Sequence, residues 1–564
     1  MAALKHLLTA RGAALPASLW NAYPRPQLVR EGWQCLNGRW RFGTDEAMRE
    51  EILVPFCPES RLSGIRRDFE TETRFYYERR FTLRLPCENR RILLHFGAVD
   101  QLAEVFVNGS PAGSHEGGYL PFTLDITDLL TGGENTLRVV ATDALDHRYP
   151  WGKQKKNRGG MWYTPVSGIW QTVWLESVPE QYIERLKITT WGTEVRVQAF
   201  GTEEGTLTLE ETGERIPLRD GLAVFPVADP VFWSPEEPKL YWFTLESGED
   251  KVRSYFALRD VSVREVAGKK RICLNGKPYF FHGLLDQGYW SDGIYTPAAP
   301  ECYEDDILAV KELGFNTLRK HIKIEPERFY YDCDRLGMIV FQDMVNNGDY
   351  HFLRDSALPQ VWQRRKDSRL NRDPETRTRF VRGMAGTVEH LGNHPCICYW
   401  TIFNEGWGQF EADKLYKALL HLDRSRITDA TSGWFHQRKS DVDSLHIYFK
   451  PLKLGRENRA QVLSEFGGFV WKDPDHSADP DKTYGYKIFR TREELAAGLR
   501  KIYEEQVIPL ARAGLCAAIY TQVSDVEDET NGLLTYDRKV RKVSPEELAG
   551  IAEALQEAVR EEES

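Results

Sequence analysis

The stretch CICYWTIFNEGWGQ (396–409) decides the fold. Eight apolar or small residues run without a break and then stop at Asn404 and Glu405, followed by Gly-Trp-Gly. The segment before it, RTRFVRGMAGTVEHLG (377–392), has apolar residues at helical spacing. A short wholly apolar run after a helix pattern suits a strand of a parallel sheet buried on both faces. Working outward, seven similar runs appear: YFFHGLL (279–285), FNTLRK (315–320), MIVFQDM (338–344), ITDATSG (427–433), SLHIYF (444–449), QVLSEFGG (461–468) and LCAAIYTQ (515–522). Helix-period segments such as EDDILAVKELG (304–314) and TREELAAGLRKIYEEQ (491–506) lie between them. Strands alternating with helices predict a (β/α)8 TIM barrel over residues 263–564. The tail opens with Ser544 and Glu547 three residues on, a capping box for a closing helix.

Upstream the style changes. Residues 1–178 hold short runs rich in β-branched and aromatic residues, such as RILLHF (91–96), LAEVFV (102–107) and TLRVVAT (136–142). Turn residues separate them, which predicts a β-sandwich. Asn108-Gly109, although followed by Ser110, reads as a hairpin turn rather than a glycosylation site. Residues 179–262 repeat the pattern on a smaller scale, from ERLKITTWG (184–192) to KVRSYFALRDV (251–261), as an immunoglobulin-like sandwich would.

Composition sets limits on function. The net charge is −10 over 564 residues and no basic tract occurs, which argues against nucleic acid and anionic membranes as partners. No apolar run reaches the roughly 18 residues of a membrane span. The first twenty residues carry Arg11 where a secretory signal would be apolar, so a cytoplasmic location is expected. The nine cysteines are scattered and suit reduced thiols better than a disulfide framework. Neither a phosphate-binding loop nor a G-x-S-x-G nor an HExxH motif is present. No cofactor and no metal are expected.

In a TIM barrel, chemistry sits where strands end and βα loops begin. Glu405 ends the fourth run, beside Phe403 and Trp407, whose apolar surroundings would raise its pKa toward that of a general acid. Glu465 ends the seventh. Two carboxylates delivered to one mouth are the constellation of glycoside hydrolysis. Asp286, Gln287 and Tyr289 follow the first run, Arg319 and His321 the second, and His446 and Tyr448 belong to the sixth. Arg319 near Glu465 would keep it ionised. A smaller set of aromatics at strand ends, Tyr289, Trp290, Trp407, Trp434, Tyr448 and Phe466, could offer flat faces to a sugar.

The chain resembles glycoside hydrolase family 2 through YPRPQLVREGWQCLNGRWRF (23–42), HFGAVDQLAEVFVNG (95–109), SGIWQTVWLE (167–176), GFNTLRKHIKIEP (314–326), NEGWGQ (404–409) and SEFGG (464–468). The resemblance implies a jelly-roll sugar-binding domain, an immunoglobulin-like domain and a catalytic barrel. It also implies that Glu405 is the acid/base, Glu465 the nucleophile and Asn404 the group that holds the sugar 2-hydroxyl. Arg319 and His321 lie where the family has an Arg and a His, although His follows here by two positions rather than three. Tyr448 resembles the tyrosine that bonds the nucleophile. Many β-glucuronidases of the family carry Asn-x-Lys after the eighth strand to hold the substrate carboxylate; DETNGLLTYDRK (528–539) has Asn531 but Leu533.

The expected function is a retaining exo-β-glycosidase, with β-galactosides the favoured substrates. β-Glucuronides, β-glucosides and β-galactofuranosides are the alternatives. A noncatalytic glycan-binding protein would lack one carboxylate, and a metal-dependent hydrolase would need a tighter cluster than His321, His446 and Asp286. Two long rim segments, 346–359 and 470–487, are expected to shape the entrance, where a homo-oligomer could also meet.

Overall fold

The computed structural model describes residues 4–5, 7–15, 20–358 and 366–560. Two sheets form the first sandwich. One has four strands in the order 33–35, 173–179, 90–96, 122–125; the other has six, in the order 50–54, 38–43, 73–82, 134–143, 102–107, 110–116. Their inward rows, including Trp40, Phe42, Phe75, Tyr77, Leu94 and Val139, make one apolar core. The Asn108-Gly109 turn is a hairpin: both residues have positive φ, 51° and 82°, and Val107 pairs with Ser110 across it. That is the primed turn Asn-Gly favours.

A second sandwich packs a three-stranded sheet (185–191, 194–200, 222–226) on a four-stranded one (215–218, 205–209, 241–247, 250–256). A small antiparallel sheet from Val261 to Pro278 then leads into the barrel. Its Arg271 donates to the carbonyls of Ala511 and Leu515, at 2.8 and 3.0 Å. That sheet therefore meets the barrel at the N-terminal end of its last strand, opposite the expected site.

The barrel strands are β1 (Phe281–Asp286), β2 (Thr317–Lys320), β3 (Ile339–Asp343), β4 (Ile397–Asn404), β5 (Ile427–Ser432), β6 (Val442–Ile447), β7 (Ala460–Gly467) and β8 (Leu515–Thr521). All eight apolar runs became these strands. They hydrogen-bond in parallel in the order β5-β4-β3-β2-β1-β8-β7-β6. Helices α1 (Glu301–Glu312), α2 (Glu327–Leu336), α3 (Pro374–Leu391) and α4 (Ala412–Leu422) follow β1 to β4, and α5 (Arg492–Ile502), α6 (Ile508–Ala513) and α7 (Ile551–Arg560) pack around β7 and β8. Asp373 caps α3 by accepting from Thr376 N at 2.7 Å, with Pro374 at the first turn. The Ser544/Glu547 capping box forms, but it heads a 3₁₀ turn and the helix starts at Ile551.

The barrel departs from eight regular repeats at one place. No helix occurs in the described β5–β6 and β6–β7 connections, and β5 and β6 share no ladder. Side chains join that seam instead. Thr428 N donates to Asp441 Oδ2 at 2.7 Å, and Ser432, Ser444 and Ser464 form a hydroxyl cluster with contacts of 2.6–3.4 Å. Deeper in the barrel, Phe341 stacks on Tyr399 at 4.1 Å and meets Phe281 at 5.5 Å. This aromatic layer supports the charged layer above it.

Candidate active site

Arg319, at the end of β2, organises the barrel mouth. It is 1% exposed, and its guanidinium donates to Asp343 Oδ1 on β3 at 3.0 Å, Asn404 Oδ1 on β4 at 2.8 Å, and Glu465 Oε1 on β7 at 3.0 Å. A planar fork with five donors is suited to joining three acceptors from three strands. Asp343 also binds His321 Nδ1 at 2.8 Å. Burial lowers the His321 pKa to about 4, so this ring is neutral near pH 7.

Glu405 and Glu465 face each other. A carboxylate oxygen from each and a ring nitrogen of His446 lie within 4.8 Å of one another. His446 Nδ1 is 2.8 Å from Glu405 Oε1 and 3.4 Å from Glu465 Oε2. Its Nε2 faces Ser432 Oγ at 3.0 Å and Arg319 Nη1 at 3.4 Å. A neutral ring with Nε2 accepting from Ser432 Oγ and Nδ1 donating toward Glu405 fits these contacts. Tyr448 donates to Glu465 Oε2 at 2.5 Å.

The two carboxyls differ in environment. Burial raises the Glu405 pKa, aided by the charge on Glu465 and opposed by the His446 bond. Burial also works against charge on Glu465, but His446 and Arg319 outweigh it and hold that group below the usual carboxylate range. One carboxyl pushed toward its protonated form beside one held below the usual carboxylate range suits the division of labour of an acid and a nucleophile. Glu405 adopts φ +52°, a left-handed conformation that non-glycine residues take at a cost and that clusters at functional sites. The same Glu405, His446 and Glu465 could by spacing hold a divalent ion.

The expected residues divide in two. Glu405, Glu465, Asn404, Arg319, His446 and Tyr448 share one connected network, with His321 attached through Asp343 and Trp407 6.5 Å from the His321 ring. Asp286 is apart from it: Lys320 Nζ binds it at 2.6 Å and also Glu325 at 2.8 Å. Gln287 is buried, and its Nε2 has no hydrogen-bond partner. Among the aromatics, Phe466 packs on Tyr503 and Tyr520, Tyr289 on Tyr163 and Tyr295, and Trp290 on Tyr303. All three belong to the main apolar core. Phe403 likewise stacks on Phe380 of α3 at 4.8 Å, so burial among other groups raises the Glu405 pKa.

Sequence reasoning missed several neighbours. Asp343 ends β3 and would have passed the same strand-end filter. Trp162, 5.3 Å from Trp407, and Lys153, 5.8 Å from the same ring, come from the first sandwich. Their loop has no periodicity that points to the barrel. Tyr486, stacked on Tyr448 at 3.7 Å, comes from the rim segment 470–487, whereas the other rim segment supplies Tyr350, 5.5 Å from Trp407. Pro359 of that second segment lies outside the described residues. Seven of the nine cysteines are buried, all nine are free thiols, and no described helix is long and apolar enough to cross a membrane.

Known proteins resemble this chain at several levels. Residues 265–453 match the model "Glycosyl hydrolases family 2, TIM barrel domain", and residues 60–170 match "Glycosyl hydrolase 2 galactose-binding domain-like". The first match includes Glu405 and stops short of Glu465. A β-galactosidase of Thermoanaerobacter pseudethanolicus is 24% identical over 70% of this chain and 53% of its own length. One from Aeromonas hydrophila is 27% identical over 74% of this chain and 43% of its own. This chain thus spans about half the length of these curated relatives. Among solved structures, the β-glucuronidase of an uncultured Clostridium superposes with a TM-score of 0.70 at 18% identity, covering 95% of this chain and 99% of that one. The β-glucuronidase of Dictyoglomus thermophilum also gives 0.70 at 18% identity, covering 95% and 98%. Those likenesses speak for the fold, and the two family models, on the sandwich and on the barrel, show that the chain belongs to glycoside hydrolase family 2.

Proposed function

We propose that this protein is a retaining exo-β-glycosidase. The observation that carries the proposal is the pair of unlike carboxyls, Glu405 and Glu465, with oxygens within 4.8 Å. Carboxyls about 5–5.5 Å apart serve retention, whereas inversion needs about 6.5–9.5 Å to admit a water between them. Glu465, ionised and steadied by Arg319 and Tyr448, attacks the anomeric carbon. Glu405 gives its proton to the departing oxygen. The glycosyl–Glu465 ester is then opened by a water that Glu405 deprotonates, which restores both groups. Asn404 has its carbonyl fixed by Arg319, so its buried, unpartnered Nδ2 is free to donate to a ring hydroxyl. The site pairs a carboxylate with a histidine that already bridges both acids, and a metal-dependent route is tested by assay in chelator.

β-Galactosides are the first glycones to test. Leu533, 1% exposed, stands where a carboxylate-holding lysine would be, and relatives such as those of T. pseudethanolicus and A. hydrophila carry the name β-galactosidase. β-Glucuronides are the second reading, favoured by the names of the structural neighbours. Aryl β-glycosides with good and poor leaving groups test the mechanism. Glu465→Gln is expected to lower kcat by at least about 10⁴-fold on every substrate. Glu405→Ala is expected to slow poor leaving groups by about 10²–10⁴-fold and activated ones much less. NMR of the first-formed sugar should show the β-anomer. An α-anomer, or an active Glu465→Gln, would overturn the proposal.

A further inference from the structure

The connection between the sandwich strands 134–143 and 168–169 crosses to the barrel mouth and carries Lys153. Lys153 is 7% exposed. Its ammonium lies 5.8 Å from the centroid of Trp407 and 5.6 Å from that of Tyr163. Among the described residues it makes neither a hydrogen bond nor an ion pair. Aromatic faces offset part of the desolvation of such a cation. Its three N–H donors have no protein acceptor, and Nζ is not one of the fully enclosed unpartnered atoms, so the ammonium opens onto the solvent of the mouth.

Three barrel cations near it are already engaged, while Lys155 of the same loop lies 5.1 Å from the Trp162 ring centroid. Arg319 is spent on Asp343, Asn404 and Glu465. Lys320 and Lys323 bind Glu325, and Lys323 also binds two carbonyls. The anions that face Lys153 also have partners of their own. Glu405 and Glu465 hold His446 and Arg319. Across the loop after β8, Glu529 accepts from Tyr163 and Asn531, and Glu527 lies 3.7 Å from Arg158. Lys153 reaches the pocket through the Trp407 ring, which is itself 6.5 Å from the His321 ring, and its charge lowers the pKa of Glu405, Glu465 and His321.

We propose that Lys153 binds the glycone, its ammonium donating to an oxygen substituent of the sugar. The first sandwich would then supply part of the substrate site. The inference rests on the glycosidase reading above. The acceptor is either a hydroxyl of a neutral sugar or the carboxylate of a uronide.

The test compares wild type, Lys153→Met, Lys153→Gln and Lys153→Arg in the full chain. The substrates are aryl β-galactoside, its monodeoxy analogues, β-glucoside and β-glucuronide, all with one leaving group. On the best wild-type glycone, Met and Gln are expected to lower kcat/KM by about 100-fold, with Arg recovering part of it. If the carboxylate is the acceptor, the loss falls on the glucuronide. If a hydroxyl is, one deoxy analogue loses little on substitution, because its contact is already gone. Equal loss on every substrate, with the acid limb of the pH profile displaced, would mean that Lys153 only tunes Glu465, and the proposal falls. Unchanged selectivity also overturns it. Turnover of no glycoside by wild type would instead refute the glycosidase reading.

Discussion

His446 sets the working pH of the pair it touches. Its Nδ1 proton favours the ionised form of Glu405, and its presence helps hold Glu465 ionised. In the proposed mechanism, turnover needs Glu465 charged and Glu405 protonated. Activity therefore falls as pH drops through the depressed Glu465 value, and as pH rises through the raised Glu405 value. His446→Asn removes an influence that lowers both, so both limbs of the kcat/KM profile should move to higher pH. A profile that stays in place, or moves down, would sink this account. The carboxylates themselves were legible in the sequence because each ends an apolar run and begins a loop, a signature that needs no partner residue. Tyr448 and His446 were found for the same reason. Lys153 and Trp162 were not, since their place depends on how a sandwich loop meets the barrel. No local pattern of residues encodes that meeting.

At the scale of elements, the β4–α4 loop shows how the backbone aims a side chain. Glu405, Gly406 and Gly408 all have positive φ, at 52°, 73° and 66°. A Cβ on Gly406 would lie 2.2 Å from Phe435 Cδ2, in a ring 1% exposed. Gly406→Ala must therefore strain the backbone and push Phe435 at once, at a cost of about 1–3 kcal/mol. Glu405 would lose its bearing on His446. The expected result is a lowered Tm together with at least about a 10-fold fall in kcat on poor leaving groups; wild-type values of both would show that the loop is not what positions the acid. The strands around this loop were readable as buried apolar runs. The missing helices were less so. The β5–β6 link, 433–441, is simply too short for one, and the β6–β7 link, 448–459, mixes Pro, Gly and charge without apolar periodicity. Such a gap is tolerated because the serines and Asp441 join the seam through side chains.

Across the whole molecule, Arg30 ties the two sandwiches together at their junction. Its guanidinium binds Asp250 through two contacts, at 3.0 and 2.8 Å, and Glu176 at 3.0 Å. Glu176 lies on the strand 173–179 of the first sandwich and Asp250 begins a strand of the second. All three side chains are at most 4% exposed. Glu176 also accepts from Tyr23 at 2.6 Å and Trp174 at 3.0 Å. The second sandwich is joined in turn to the barrel, where Trp233 donates to Asp334 O and Tyr255 to Asp334 Oδ2, both at 2.7 Å. Force applied to one unit is thus carried through buried polar contacts to the next, and calorimetry of the full chain should show one cooperative unfolding transition. Arg30→Met keeps the apolar stem but leaves two buried carboxylates without their shared cation. Removing one partner of a buried ionic network costs about 3–5 kcal/mol, far more than the network adds over apolar packing. The variant should unfold several degrees lower, and the second sandwich should melt in a separate, earlier step. A single transition at the wild-type Tm would mean that apolar packing alone couples the units. The glycosidase chemistry proposed for the barrel mouth should survive Arg30→Met at low temperature, because Arg30 binds none of Glu405, Glu465 and Lys153.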